Sequence, residues 1–245
     1  MTDDRPTTTR RDLLAGMALI AAGASALPAR AEQSQAMNVV LLGDSIFDNK
    51  AYVGGGPDVI TQLRAALPAG STATLAARDG STTNDIAGQL ETVPKTATHL
   101  VISVGGNNAL GEKGLLEEKA HSVAEVLDKL AKIKAAFRKS YAAMLDGVLA
   151  RRLPTAICTI YEAHYPDLTT RAIAATGLTV FNDAILREAF ARALPVIDLR
   201  LIINDGADYA NDIEPSVAGG AKIARAIATL LAAADFKQPR SVIYA

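Results

Sequence analysis

The sequence predicts a three-layer α/β/α domain built on a parallel sheet, and two observations support this prediction. Short runs rich in Val, Ile and Leu alternate with longer segments of helical periodicity. The clearest runs, residues 39–42 and 100–104, contain no polar alternation, which is typical of strands that helices cover on both faces. Strands separated by helices connect through right-handed crossovers and therefore run parallel.

These patterns predict about five strands, with helices between them. The predicted strands are residues 39–42, 72–76, 100–104, 154–160 and 196–199. The predicted helices are residues 57–67, 82–90, 122–148, 180–194 and 215–232. The helix at 122–148 has the strongest signal, because Ser122 and Glu125 form a capping-box pair and apolar residues follow at three- and four-residue steps. Pro215 suits the first turn of the last helix.

The first 31 residues carry the pattern of an export signal. Arg10 and Arg11 form a twin-arginine motif, the apolar segment 15–27 follows, and small residues at 29–31 resemble a cleavage site. Because the apolar segment is shorter than the roughly 20 residues of a spanning helix, we expect no stable membrane span. We therefore predict a twin-arginine (Tat) signal peptide at 1–31, recognised by the Tat export machinery, and a single periplasmic or secreted domain at 32–245.

Composition argues against several other classes of protein. Lys and Arg total 25, Asp and Glu total 26, and the two signs are interspersed, so we expect no nucleic-acid surface. The single cysteine, Cys158, lies in an apolar run and is interpreted as a buried small residue. No cluster has metal-ligand spacing and no glycine-rich loop matches a nucleotide fingerprint, so no metal or cofactor is predicted.

Polar turns follow four of the predicted strands, at the edge where open α/β sheets bind ligands. These turns are residues 43–45, 79–81, 105–108 and 211–215. Ser45 can act as a nucleophile. The backbone N–H groups of Ser45 and Gly80, with the side-chain amide of Asn107, can form an oxyanion hole. Asp44 is expected to stabilise its turn or cap a helix rather than take part in the chemistry.

In this order, each at a strand end, these residues resemble the motif blocks of the SGNH or GDSL hydrolase family. Ser45 matches the serine of block I, Gly80 the glycine of block II and Asn107 the asparagine of block III. The resemblance extends over nearly the whole mature chain to the closing helix after Pro215. It implies a flavodoxin-like three-layer sandwich and an esterase, lipase, thioesterase or carbohydrate O-acetyl esterase activity.

The chain departs from the family at the general base. The family's last block is Asp-x-x-His, and the matching positions here are Asn211 and Glu214. If the register shifts by one residue, Asp212 takes the place of the orienting aspartate. A solvated glutamate has a pKa of about 4.3 and is a weak base toward a serine hydroxyl, but burial can raise this pKa. A Ser45–Glu214 pair, which resembles that of sedolisin-type peptidases, predicts an optimum at acid pH. His164, in the loop after the fourth strand, is the second candidate base; otherwise it lines the pocket or faces solvent.

The resemblance and these residues predict an exported serine hydrolase of carboxylic esters that forms an acyl-enzyme on Ser45. Small acyl esters or O-acetylated glycans are the expected substrates, because the sequence shows no long apolar lid. The low number of aromatic residues makes a sugar-stacking platform less obvious. The missing histidine leaves an alternative, since a fold does not fix a function. In that alternative the protein binds an acylated carbohydrate or lipid without turnover.

Overall fold

A computed structural model describes residues 36–238 and 240–245, which form a parallel sheet between two helical layers. The sheet of the described residues has six strands in the order β2-β1-β3-β4-β5-β6, with every neighbouring pair parallel. The strands are β1 (Asn38–Gly43), β2 (Thr72–Leu75), β3 (His99–Ser103), β4 (Thr155–Cys158), β5 (Val196–Ile197) and β6 (Ile243–Tyr244). The predicted fold class is confirmed. The sixth strand was missed because two residues are too few to show a period.

The helices cover the two faces of this sheet. They are α1 (Val59–Ala66), α2 (Ile86–Glu91), α3 (Gly106–Gly111), α4 (Val123–Leu149), α5 (Leu168–Ala191), α6 (Leu199–Ile202) and α7 (Val217–Ala233). Single 3-10 turns lie at Lys50–Tyr52 and Gly206–Asp208, and a longer one at Lys113–Glu117. As predicted, Ser122 caps α4 by accepting the N–H of Glu125 at 3.2 Å. The Glu125 carboxylate accepts the N–H of His121 at 2.9 Å instead of that of Ser122, so only half of the predicted capping box forms. Pro215 does not lie in the first turn of α7, because Ser216 is the N-cap of that helix.

Helix α5 begins about three turns before its predicted start at residue 180. Asp167 caps it by accepting the N–H of Thr170 at 2.7 Å. Its buried side chains begin only at Phe181, and small and apolar residues occur on all sides of its first half, so the sequence shows little contrast between faces there. The short helices α3 and α6 were missed because they span too few turns to be periodic.

The core consists of two apolar clusters, one on each face of the sheet. Successive residues of β1 alternate between them: Val39 and Leu41 pack with α1 and α7, and Val40 and Leu42 pack with α2, α4 and α5. β1 pairs with β2 on one side and with β3 on the other, so the order in which successive strands are added to the sheet reverses at β1. The carboxyl ends of β1 and β3 therefore form the crevice where such sheets bind ligands.

The predicted signal peptide lies outside the residues that the structure describes. Within 36–238 and 240–245, no helix has the length and apolar content needed to cross a membrane.

Candidate active site

Ser45 sits at a turn that only glycine can form. β1 ends at Gly43, whose φ of 139° lies in a region that other residues rarely adopt. A Cβ at this position would fall 1.8 Å from the carbonyl oxygen of Ser103 on β3. The close approach allows the N–H of Asp44 to bond that oxygen at 3.1 Å. The turn leaves Ser45 just beyond the end of β1, where it is 6% exposed.

The Ser45 hydroxyl donates a hydrogen bond to Oε1 of Glu214 at 2.9 Å. Glu214 lies in the segment before α7 and is 5% exposed. Its other carboxylate oxygen, Oε2, is buried and has no hydrogen-bond partner in the described part of the chain. A buried carboxylate with one free oxygen is costly to keep and is available to a substrate or a water molecule.

The turn that carries Glu214 is held by Asn211. The side-chain oxygen of Asn211 accepts the N–H groups of Ile213 and Glu214, each at 2.9 Å. The backbone of Asp212 accepts the N–H of His164 at 2.7 Å. Neither Asn211 nor Asp212 is hydrogen-bonded to the Glu214 carboxylate in the described residues, so the turn positions this glutamate through its backbone.

Two carboxyl groups beside Ser45 have raised pKa values. Burial raises the pKa of Glu214, although the hydrogen bond from Ser45 partly opposes this and the charge of Asp79 adds to it. Burial also raises the pKa of Asp44, to about 7; the N–H of Ile46 lowers it in part, and the charge of Glu214 raises it further. Both groups therefore hold their protons to higher pH than solvated carboxyl groups do.

Asp44 has a second role that the sequence pattern did not indicate. Its Oδ1 accepts the N–H of Ile46 at 3.2 Å, which is the expected turn-stabilising bond. Its side chain also lines the cavity that Ser45 and Glu214 face. The signal available in the sequence, an acidic residue next to the nucleophile, is equally typical of a simple turn.

The predicted oxyanion donors lie at the ends of β1, β2 and β3. Within the described residues, neither the N–H of Ser45 nor that of Gly80 donates a hydrogen bond. Gly80 has a φ of 78°, which explains the glycine. The Asn107 amide donates one hydrogen to the Ser81 carbonyl at 2.9 Å, which fixes its orientation and leaves its second hydrogen for another acceptor. The three donors have the chemistry of an oxyanion hole, and this role stays a prediction.

The structure gives His164 partners other than Ser45. Its ring stacks on Tyr209, with ring centroids 4.9 Å apart and planes 26° from parallel. Its neighbours Ala163 and Tyr165 line the cavity, whereas His164 is not among the described lining residues. The loop after the fourth strand opens near Ser45, as expected, because these two neighbours line the same cavity. The candidate base that contacts the Ser45 hydroxyl is Glu214.

A large apolar cavity begins at Ser45. Its volume is about 540 Å³, within the range of about 300–1,000 Å³ common for ligand pockets. Its polar end is formed by Asp44, Ser45, Asn107 and Glu214, and its walls come from α3, the 3-10 turn Lys113–Glu117, α4, the first half of α5 and the loop after β4. The sequence did not indicate this cavity, because its walls are brought together by elements far apart in the chain.

Cys158 is buried, and burial raises the pKa of its thiol well above the usual range. It is therefore a core residue of β4 rather than a nucleophile. In the part of the chain that the structure describes, no three His, Cys, Asp or Glu side chains come together as a metal site.

Several solved structures are similar to this chain in fold. The extracellular lipase from Streptomyces rimosus is 17% identical, with a TM-score of 0.59, and the match covers 82% of this chain and all of the lipase (100%). A carbohydrate acetylesterase from Sinorhizobium meliloti is 13% identical, with a TM-score of 0.56 and coverage of 80% and 99%. Phospholipase A1 from Streptomyces albidoflavus is 16% identical, with a TM-score of 0.51 and coverage of 76% and 95%. At these identities the likeness concerns the fold.

The sequence also matches a known family over most of its length. No curated protein matches it as a whole sequence. The model of the GDSL-like Lipase/Acylhydrolase family matches residues 41–222, a range that includes Ser45, Gly80, Asn107 and Glu214. The chain therefore belongs to the GDSL-like lipase/acylhydrolase family.

Proposed function

We propose that this protein is an exported hydrolase of carboxylic esters in which Ser45 attacks the acyl carbonyl and Glu214 accepts the serine proton. The observation that supports this most strongly is the 2.9 Å hydrogen bond from the Ser45 hydroxyl to Glu214. A nucleophile bonded to a buried base is the arrangement that acyl transfer needs. Membership of a family of lipases and acylhydrolases supports the same reaction class.

The proposed reaction has two halves. Ser45 Oγ forms a bond to the acyl carbon as its proton passes to the Glu214 carboxylate, and the carbonyl oxygen becomes an oxyanion. The N–H groups of Ser45 and Gly80, with the Asn107 amide, stabilise that charge. The alcohol leaves with the proton from Glu214, and a water molecule, deprotonated by Glu214, then releases the acid and restores Ser45.

The raised pKa makes Glu214 a stronger base than a solvated glutamate. Only the ionised carboxylate can accept the proton, so turnover rises with pH through the pKa of Glu214. A carboxyl group loses its proton at lower pH than a lysine or a tyrosine does, so Glu214 becomes a competent base at lower pH than either of those residues would. We therefore propose activity that extends into the acid range.

Labelling with a fluorophosphonate probe tests this assignment. We expect the mature protein to be labelled, Ser45→Ala to be unlabelled, and Glu214→Gln to be labelled at least about a hundredfold more slowly, the lower limit for losing a general base. His164→Ala is the matched control, and we expect it to react at the wild-type rate. Folded protein that is never labelled would overturn the proposal in favour of a binding protein without turnover.

The proposed site of action is the periplasm or the medium. The twin-arginine motif at Arg10 and Arg11 and the apolar segment behind it support export through the Tat machinery. Replacement of both arginines by lysine is expected to retain the full-length precursor in the cytoplasm. Unchanged export of that variant, measured by cell fractionation, would contradict this part of the proposal.

A further inference from the structure

The cavity beside Ser45 has one polar end and a long apolar body. The polar groups at its inner end are those of the candidate active site. Its other walls are mainly Leu, Ile, Ala and Phe side chains. The charged lining residues Glu112, Lys113 and Glu117 are exposed, so their charges lie at the surface rather than inside. This distribution matches a molecule with a reactive polar group on an apolar chain.

One face of α5 forms a wall of this cavity. Its lining residues recur at steps of three and four, which places them on the same side of the helix. They are Thr170, Ile173, Ala174, Gly177, Leu178 and Phe181. Leu130 and Ile133, one turn apart on α4, line the cavity as well. The space therefore borders about three turns of α5 and one turn of α4.

Gly177 keeps this wall open. Glycine is the poorest helix former after proline, yet Gly177 lies well inside α5. A Cβ at this position would meet no heavy atom within 4 Å, so no packing contact excludes a larger residue. The effect of the glycine is to leave room in the cavity that a side chain would occupy.

The apolar cavity extends to the protein surface. Leu116 and Ile173 line it and are 54% and 47% exposed. An acyl chain that starts at Ser45 can therefore lie between α4 and α5 with its end directed toward these residues. An acetyl group would fill only the polar end and leave the rest of the apolar wall in contact with water.

We propose that this cavity binds the acyl chain of the substrate, that the enzyme prefers medium or long acyl esters to acetyl esters, and that Gly177 sets the length accepted. This inference rests on the proposed function for its catalytic part, and it replaces the small acyl groups expected from the sequence with longer ones. Each methylene that enters the cavity is expected to increase kcat/KM about fourfold, the fold-change that corresponds to about 0.8 kcal/mol per buried methylene.

Hydrolysis of p-nitrophenyl acetate, butyrate, octanoate and laurate tests the inference. We expect kcat/KM to rise with chain length in the wild type. In Gly177→Leu and Gly177→Phe, the octanoate and laurate values are expected to fall at least about tenfold while the acetate value stays within about twofold. Gly147→Leu is the matched control, because Gly147 is an exposed glycine inside α4 whose added Cβ also meets no atom within 4 Å.

Binding of a fluorescent fatty acid to Ser45→Ala gives a readout that does not depend on turnover. We expect saturable binding that is lost in the double variant Ser45→Ala/Gly177→Phe and kept in Ser45→Ala/Gly147→Leu. Hydrolysis of acetate without a chain-length preference, or an equal effect of Gly177→Phe on all four esters, would overturn the inference and leave the proposed function standing. Fatty-acid binding without hydrolysis of any ester would overturn the proposed function and leave the acyl-binding cavity standing.

Discussion

Two sets of buried carboxylates in this molecule have opposite electrostatic environments. Glu188, Asp198 and Asp208 are each at most 5% exposed, and each is paired with at least one cation. Glu188 pairs with Arg138 and Arg192. Asp198 pairs with Arg200, and Asp208 pairs with Lys222. Burial alone would raise their pKa values, but the bonds from these cations outweigh it and the pKa values are lowered.

Asp44 and Glu214 are buried to a similar degree without such partners. They are 2% and 5% exposed, and no Lys, Arg or His of the described residues forms an ion pair with either. Their pKa values are raised instead. The difference teaches that burial does not by itself decide the state of a carboxyl group, and that beside Ser45 the fold leaves two buried carboxyl groups without a cation.

The largest expected effect comes from replacing Glu214, the proposed base. Glu214→Gln keeps the size of the side chain and an oxygen for the Ser45 hydroxyl, but it cannot accept a proton. We expect kcat to fall about 10²- to 10⁴-fold, the usual contribution of a general base, with little loss of stability. Steady-state kinetics and thermal unfolding measure the two effects, and a kcat within tenfold of the wild type would show that Glu214 is not the base.

Asp44→Asn tests the cost of the second unpaired carboxyl group. The pKa of Asp44 is raised from 3.8 to about 7, so the fold favours the protonated carboxyl group. The stability that this preference provides is fully present below about pH 3.8 and is lost as the pH rises through about 7. Relative to Asp44→Asn, we expect a loss of up to about 4 kcal/mol in the free energy of unfolding between about pH 4 and pH 8, at about 1.4 kcal/mol per pKa unit. Urea unfolding at both pH values measures it; an equal difference at the two would contradict the raised pKa.

Asp208→Ala tests one of the buried carboxylates that are paired with a cation. Asp208 Oδ2 accepts the N–H groups of Asn204 and Asp205, each at 3.1 Å, and the Lys222 ammonium at 2.7 Å. Removing the carboxylate leaves these two N–H groups without a partner, which is expected to cost about 1–3 kcal/mol. Because the pKa of Asp208 is lowered, this loss should be present at neutral pH and shrink as the pH falls below its ordinary value of 3.8. A larger loss in acid than at neutral pH would contradict the assignment.

The smallest expected effect is on the shape of the pH–rate profile. Turnover should rise through the raised pKa of Glu214, with a midpoint above 4.5. It should fall again near pH 7, where Asp44 ionises and places a second negative charge beside the developing oxyanion. Asp44→Asn is expected to remove the falling limb and keep the rising one. A profile unchanged by this substitution would show that Asp44 does not influence the reaction.

Local patterns in the sequence determined much of the fold. The apolar runs at β1 and β3 and the cap of α4 at Ser122 depend on residues adjacent or nearly adjacent in the chain, so they could be recognised without the structure. The positions of Ser45, Gly80 and Asn107 follow from the same rule, because parallel strands bring their carboxyl ends to one edge.

Only the tertiary structure shows which of the two candidate bases contacts Ser45. Ser45 and Glu214 are 169 positions apart, and the sequence offered His164 as an alternative. Packing against Tyr209 orients that imidazole elsewhere. The raised pKa values of Asp44 and Glu214 likewise depend on desolvation by residues from several elements, which no local pattern encodes.

The cavity could not be predicted from the sequence, for a related physical reason. A strand or a capped helix is a property of one segment, whereas an empty space is defined by what neighbouring segments do not fill. Gly177 and Ala174 read as ordinary small residues in a weakly patterned stretch, and only the position of α5 beside α4 makes them the wall of a site. The sequence by itself therefore determined the sheet and the edge that carries Ser45, and the tertiary structure decided which carboxylate contacts Ser45, the electrostatic environment of that carboxylate and the shape of the cavity.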